Sequence, residues 1–116
     1  MRHAPTTEPL DREIVVDEAD YDDMLGVYAL FLVVPRADVV YVRLVVESWE
    51  DFAVPRTMDR FHEGDRARQV VVVLAVPDFI GPCARRLARL CEETGAVPLA
   101  STPALREALR RDLLGT

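Results

Sequence analysis

From Arg12 onward the apolar residues fall into short blocks separated by polar, proline or glycine positions. Gln69–Val76 (QVVVVLAV) is the clearest block. It is unbroken and rich in β-branched residues after Gln69, the pattern of a strand covered on both faces. Asp38–Glu47 (DVVYVRLVVE) carries a single charge, Arg43, inside it and reads as a second strand. Arg12–Asp17 (REIVVD) reads as a third and Ala96–Ala100 (AVPLA) as a short fourth, which Pro98 assigns to a sheet edge.

Helical spacing appears between these blocks. Over Pro82–Thr94 the residues Cys83, Ala84, Leu87, Leu90 and Cys91 share one face, and Arg85, Arg86, Arg89, Glu92 and Glu93 the opposite one. Pro82 suits a first helical position and Gly95 a stop. Thr102 and Pro103 open a last helix lined by Leu105, Ala108, Leu109 and Leu113. Ser48-Trp49-Glu50-Asp51 fits a capping box, predicting a further helix that Pro55 disturbs and Gly64 ends.

Residues 21–34 admit two readings. Tyr21, Met24, Leu25, Tyr28 and Leu32 lie on one helical face, whereas Val27–Val34 alone is an apolar run fit for a buried strand, turning through Pro35-Arg36-Ala37-Asp38.

Strand–helix alternation from residue 12 predicts an α/β fold: a three-layer sandwich with a mainly parallel sheet of about four strands and helices on both faces. Residues 1–11 are expected to be a flexible tail and residues 12–116 one domain. In such a sheet the functional crevice lies beyond the strand carboxyl ends, here Asp17-Glu18, Glu47-Ser48, Pro77-Asp78 and Ser101-Thr102.

Composition narrows the chemistry. The chain has 116 residues, a formal net charge of −6, no lysine and no asparagine; all 14 basic residues are arginine. This fits a GC-rich genome. It also removes P-loop and Schiff-base chemistry, both of which need a lysine. Eight acids and two arginines fall within residues 1–23, so the net charge is confined to that end. A net-acidic chain without a basic cluster is a poor nucleic-acid binder. The longest apolar run is too short to span a bilayer, and Arg2, His3 and Pro5 do not fit a signal peptide. The expected location is therefore cytoplasmic, with neither nucleic acid nor membrane as partner.

The strand ends resemble those of the receiver domain of bacterial response regulators. Ile14-Val15-Val16-Asp17-Glu18 is similar to the opening that holds a magnesium ion there, Glu47-Ser48-Trp49-Glu50-Asp51-Phe52-Ala53 to the next turn, and Val76-Pro77-Asp78-Phe79-Ile80-Gly81 to the stretch after the third strand. Ser101 or Thr102 stands where that family keeps a hydroxyl. The family's phosphorylated aspartate, four residues before the proline, is Val73 here, and its lysine has no counterpart. The resemblance implies a receiver-like, flavodoxin-like domain that cannot be phosphorylated and serves contacts. Gln69–Leu109 also overlays loosely on anti-anti-sigma domains, without their serine, and on kink-turn RNA-binding domains.

Few residues offer chemistry. Cys83, in the first turn of a predicted helix and preceded by Gly81, is the one candidate nucleophile or anion-site residue, although its place on the apolar face favours a buried thiol. Asp17, Glu18 and Asp78, with Asp20 and Glu47 near by in the predicted layout, form a candidate magnesium set, set against a reading as solvated helix-start acids. His62 lacks a partnered motif. Trp49, flanked by Glu50 and Asp51, is a candidate contact for a protein partner. The sequence thus leads to a non-catalytic interaction or regulatory module without cofactor, binding a protein partner or itself as a homodimer. The alternative is a small-anion-binding domain or cysteine enzyme built on Gly81–Cys83.

Overall fold

The computed structural model describes residues 16–49, 53–58 and 66–114. The predicted N-terminal tail, most of the Arg12–Asp17 strand, Glu50, Asp51 and His62 lie outside the described residues. Among the described residues five strands and three α-helices follow in chain order: β1 (Tyr21–Asp22), β2 (Val27–Pro35), α1 (Val39–Glu47), β3 (Ala53–Thr57), β4 (Arg68–Ala75), α2 (Ile80–Glu93), β5 (Val97–Leu99) and α3 (Pro103–Leu114).

Every strand pairing is antiparallel. β2 and β4 form the centre, with Phe31 opposite Val72, Leu32 opposite Val71 and Val33 opposite Val70. β3 flanks β4, while β1 and β5 share the other edge of β2 at Val27–Tyr28 and Phe31–Val33. Each strand–helix–strand unit therefore encloses a strand of the other: β4 lies between β2 and β3, and β2 between β4 and β5. This is the split βαβ, or ferredoxin-like, arrangement.

The mainly parallel sandwich expected from the sequence is thus corrected to an antiparallel sheet, and the strand carboxyl ends do not line up along one edge as the receiver-like layout required. The cause is visible in the packing. Leu30, Leu32, Val34, Val71, Val73 and Ala75 face α1 and α2, where Val42, Val46, Cys83, Leu87 and Leu90 complete one core. Ala29, Phe31, Val70 and Val72 face the other way and pack with Met58 and with Leu105 and Leu109 of α3. A sheet covered on both faces has apolar residues at successive positions whatever the strand direction. Fully burying each such side chain contributes about 1.5–3 kcal/mol.

Asp38–Glu47 is helix α1, not a strand, apart from its first residue, which belongs to a 3-10 turn (Arg36–Asp38). Its valines repeat with the helical period, Val42 and Val46 pointing into the core. β-branched residues lower helix propensity only slightly, and tertiary burial overrides that preference. Ser48 ends this helix instead of opening the next. Its N–H donates to Leu44 O at 3.0 Å and its hydroxyl to Val45 O at 2.6 Å. The predicted helix after Ser48 is replaced, where described, by β3. Residues 27–35 take the strand reading, and the Tyr21–Asp22 segment reverses through a turn in which Gly26 adopts φ 73°.

Candidate functional site

α1 is apolar on both sides, and the domain covers only one of them. Val42 and Val46 are fully buried, with Val39 and Val45 half-buried beside them. On the outward side Val40 is 68 % exposed, Leu44 59 % and Tyr41 49 %. A helix that is hydrophobic all round is normally buried all round. The Tyr41 ring is held: its hydroxyl donates to Glu93 Oε1 of α2 at 3.1 Å, and this bond, with the carboxylate charge, raises the tyrosine pKa. Arg43 and Glu47 border Leu44 on one flank, 3.9 Å apart, and Arg43 also donates to Thr57 Oγ1 at 3.3 Å. Of the other large exposed apolar residues, Val76 and Phe79 lie together at the 3-10 turn before α2, both less exposed than the three on α1, and Met24, Val54, Val97 and Leu114 lie on separate segments.

Among the described residues, two concavities adjoin the helices and sheet. A cavity of about 260 Å³ opens where β1 and β5 meet end to end on β2, lined by Asp17, Asp20, Leu30, Leu32, Pro98 and Ser101. Ser101 Oγ is buried there and makes no hydrogen bond among the described residues. A groove of about 310 Å³ between α1 and α2 is lined by Val45, Trp49, Arg86, Arg89, Leu90 and Glu93. Trp49 is half-buried in it, packed against the core, with the Arg86 guanidinium 6.0 Å from its ring centroid.

The remaining sequence candidates are placed as follows. Cys83 is fully buried, and desolvation pushes its thiol up to about 11 although the Arg86 charge opposes this. At neutral pH it is a thiol packed among apolar residues, not a thiolate. Cys91, half-buried on the same helix, is likewise pushed to about 11 by burial. Gly81 lies within the first turn of α2, and Asp78 is exposed in the 3-10 turn before it. Asp17 and Asp20 are engaged in a reciprocal cap: Ala19 N–H donates to Asp17 Oδ1 at 2.7 Å and Asp17 N–H to Asp20 Oδ2 at 3.0 Å. Glu18 lies in the turn they cap. Among the described residues no group of three or more His, Cys, Asp or Glu side chains is placed to hold a metal ion. None of the described helices is long and apolar enough to cross a membrane.

Two features escaped the sequence reading. Val40, Tyr41 and Leu44 fall in a segment whose pattern predicts a strand, yet its missing polar face is itself the available signal. The second is a buried ionic cluster: Asp22 receives Arg110 Nε–H at 3.0 Å, lies 3.6 Å from Arg106 Nη2, and has no solvent-accessible surface. Nothing in the local pattern distinguishes Asp22 from its acidic neighbours.

Comparison with family models, curated proteins and solved structures gives no significant match.

Proposed function

We propose that the chain is a non-catalytic protein-interaction module whose contact surface is the outward face of α1. The observation that carries this reading is the apolar character of α1 on its solvent side, with Val40, Tyr41 and Leu44 presented together on one short helix. Apolar surface concentrated in this way on a water-soluble fold is stabilised by covering it. Tyr41, fixed by its bond to Glu93, contributes a rigid aromatic contact with little ordering cost. The state of Cys83 supports the non-catalytic side of the proposal, because its buried, protonated thiol is a poor nucleophile.

The test compares capture by the native chain with capture by a Val40→Asp/Leu44→Asp variant, using extract of the source cells. Circular dichroism confirms that the variant is folded. A stoichiometric partner held by the native chain and lost by the variant supports the proposal. The same partner held equally by both overturns it.

A further inference from the structure

We infer that the cavity where β1 and β5 meet is a binding site for a primary alkylammonium group, with Asp17, Asp20 and Ser101 receiving its N–H donors and Leu30, Leu32 and Pro98 its hydrocarbon chain.

The cavity is a gap in the sheet edge. β1 pairs with β2 at Val27 and Tyr28, and β5 pairs with it at Phe31, Leu32 and Val33. No described strand pairs with β2 on that edge at Ala29 or Leu30. The turn at residues 17–20 leads into β1, and Ala100-Ser101 leads out of β5, so both junctions border the gap. Arg106 holds the turn by donating to Ala19 O and Tyr21 O, and its own charge is answered by Asp22 at 3.6 Å.

Two independent observations name the ligand. The first is Ser101 Oγ, buried with no hydrogen-bond partner among the described residues. An unpaired buried hydroxyl is costly, so this atom calls for a group from outside the chain. The second is charge: the described lining holds two carboxylates and no basic residue. The turn engages Asp17 Oδ1 with Ala19 N–H and Asp20 Oδ2 with Asp17 N–H. A carboxylate has about four acceptor sites, so both side chains keep capacity for a further donor. A primary ammonium has three N–H donors and meets three acceptors here. Leu30 and Leu32, both buried, and Pro98 form the apolar wall that an attached hydrocarbon chain requires. A bare divalent ion fits less well, because it wants about six oxygen ligands and no group of three metal-binding side chains is formed among the described residues. The chain contains no lysine, so none of its own side chains supplies this group. Asp17 is exposed and its charge screened, so an affinity of about millimolar is expected.

The test is amide NMR titration of the full chain at neutral pH with three probes: n-butylamine, Nα-acetyl-lysine amide and, as the uncharged control, n-butanol. Both amines carry the ammonium, one free and one as a lysine side chain. Saturable shifts at Asp20, Leu30, Leu32 and Ser101 with either amine, and not with butanol, support the inference; the amine that binds more tightly identifies the source. Asp17→Asn/Asp20→Asn should weaken binding about fivefold or more, and asparagine preserves the turn because it caps as well as aspartate. Ser101→Ala, which leaves the turn untouched, should weaken it about threefold and carries the test if the double variant misfolds by circular dichroism. Absence of saturable shifts at these residues up to about 50 mM amine, ten or more times the expected dissociation constant, overturns the inference and leaves the cavity to water. Equal shifts with butanol, or amine binding unchanged in the folded variants, overturn it as well.

Discussion

The Asp22 carboxylate accepts the Arg110 Nε–H at 3.0 Å in a position where Asp22 has no exposed surface. Asp22 sits at the end of β1 and Arg110 on α3, so the bond ties the short edge strand to the helix covering the second sheet face. Arg106 reinforces the tie by donating to Ala19 O at 2.8 Å and Tyr21 O at 2.9 Å. The other Asp22 oxygen accepts Met24 N–H and Leu25 N–H, shaping the turn into β2. One side chain thus serves both the local turn and a long-range contact.

Replacing Asp22 with alanine should therefore destabilise the fold by about 2–4 kcal/mol, through two orphaned turn amides and a lost ion pair. The arginines are partly exposed and can turn to solvent, which keeps the loss below that of a wholly buried pair. Urea unfolding, with the native chain as reference, measures it; a loss under about 0.5 kcal/mol contradicts this role.

The same cluster should impart acid sensitivity. Burial alone would raise the Asp22 pKa, but the Arg110 hydrogen bond, the Leu25 amide, the Arg110 charge and the Met24 amide outweigh it, and the net shift is downward. The stabilisation is then complete above the unfolded-state value of about 3.9 and lost as pH falls through the lower folded-state value. The stability gap between the native chain and Asp22→Asn should be constant near neutrality and shrink below about pH 4. A gap that widens on acidification contradicts the sign of the shift.

Pro55 should act as a guard on the β3 edge. Met58 N–H donates to Val70 O at 2.9 Å, so along β3 the even-numbered residues carry the ladder bonds to β4. Pro55 falls on the alternate set, its nitrogen turned away from β4 toward an edge on which no described strand pairs. A proline there removes the central donor another strand would need. Pro55 is itself buried, so Pro55→Val, which keeps an apolar side chain there, should preserve the fold and increase aggregation on mild heating, read by light scattering. Unchanged scattering would show that this edge needs no guard.

Cys83 should resist alkylation in the folded chain and react on unfolding, as expected for a buried thiol pushed up to about 11. Because its pKa is raised on folding, the associated stability is full below about pH 8.5 and declines as pH rises toward the folded value. Iodoacetamide labelling followed by peptide mass analysis decides this. Rapid modification of Cys83 in the native state at neutral pH contradicts the buried assignment.

The legible parts of the fold were those whose pattern matched one periodicity. α2 has a charged face opposite its core face, and α3 opens on Thr102, whose Oγ accepts Leu105 N–H at 3.2 Å. β4 shows its central place through an unbroken valine run, and Pro98 marks β5 as an edge strand. The rest failed for specific reasons. α1 has no polar face because its solvent side is apolar, so Val39–Glu47 looked like a strand for the same reason that it looks like an interface. α3 hides the second sheet face, which erased the in–out alternation that would have announced antiparallel strands. Asp22 was invisible because its partners lie more than eighty residues away.

The contact surface itself is tested most directly by backbone amide NMR of the native chain, recorded with and without the partner captured from extract of the source cells. The account predicts partner-dependent shifts that cluster on Val40, Tyr41 and Leu44 and disappear in Val40→Asp/Leu44→Asp. Shifts that cluster instead on β3 or around the cavity beside β5 would contradict it.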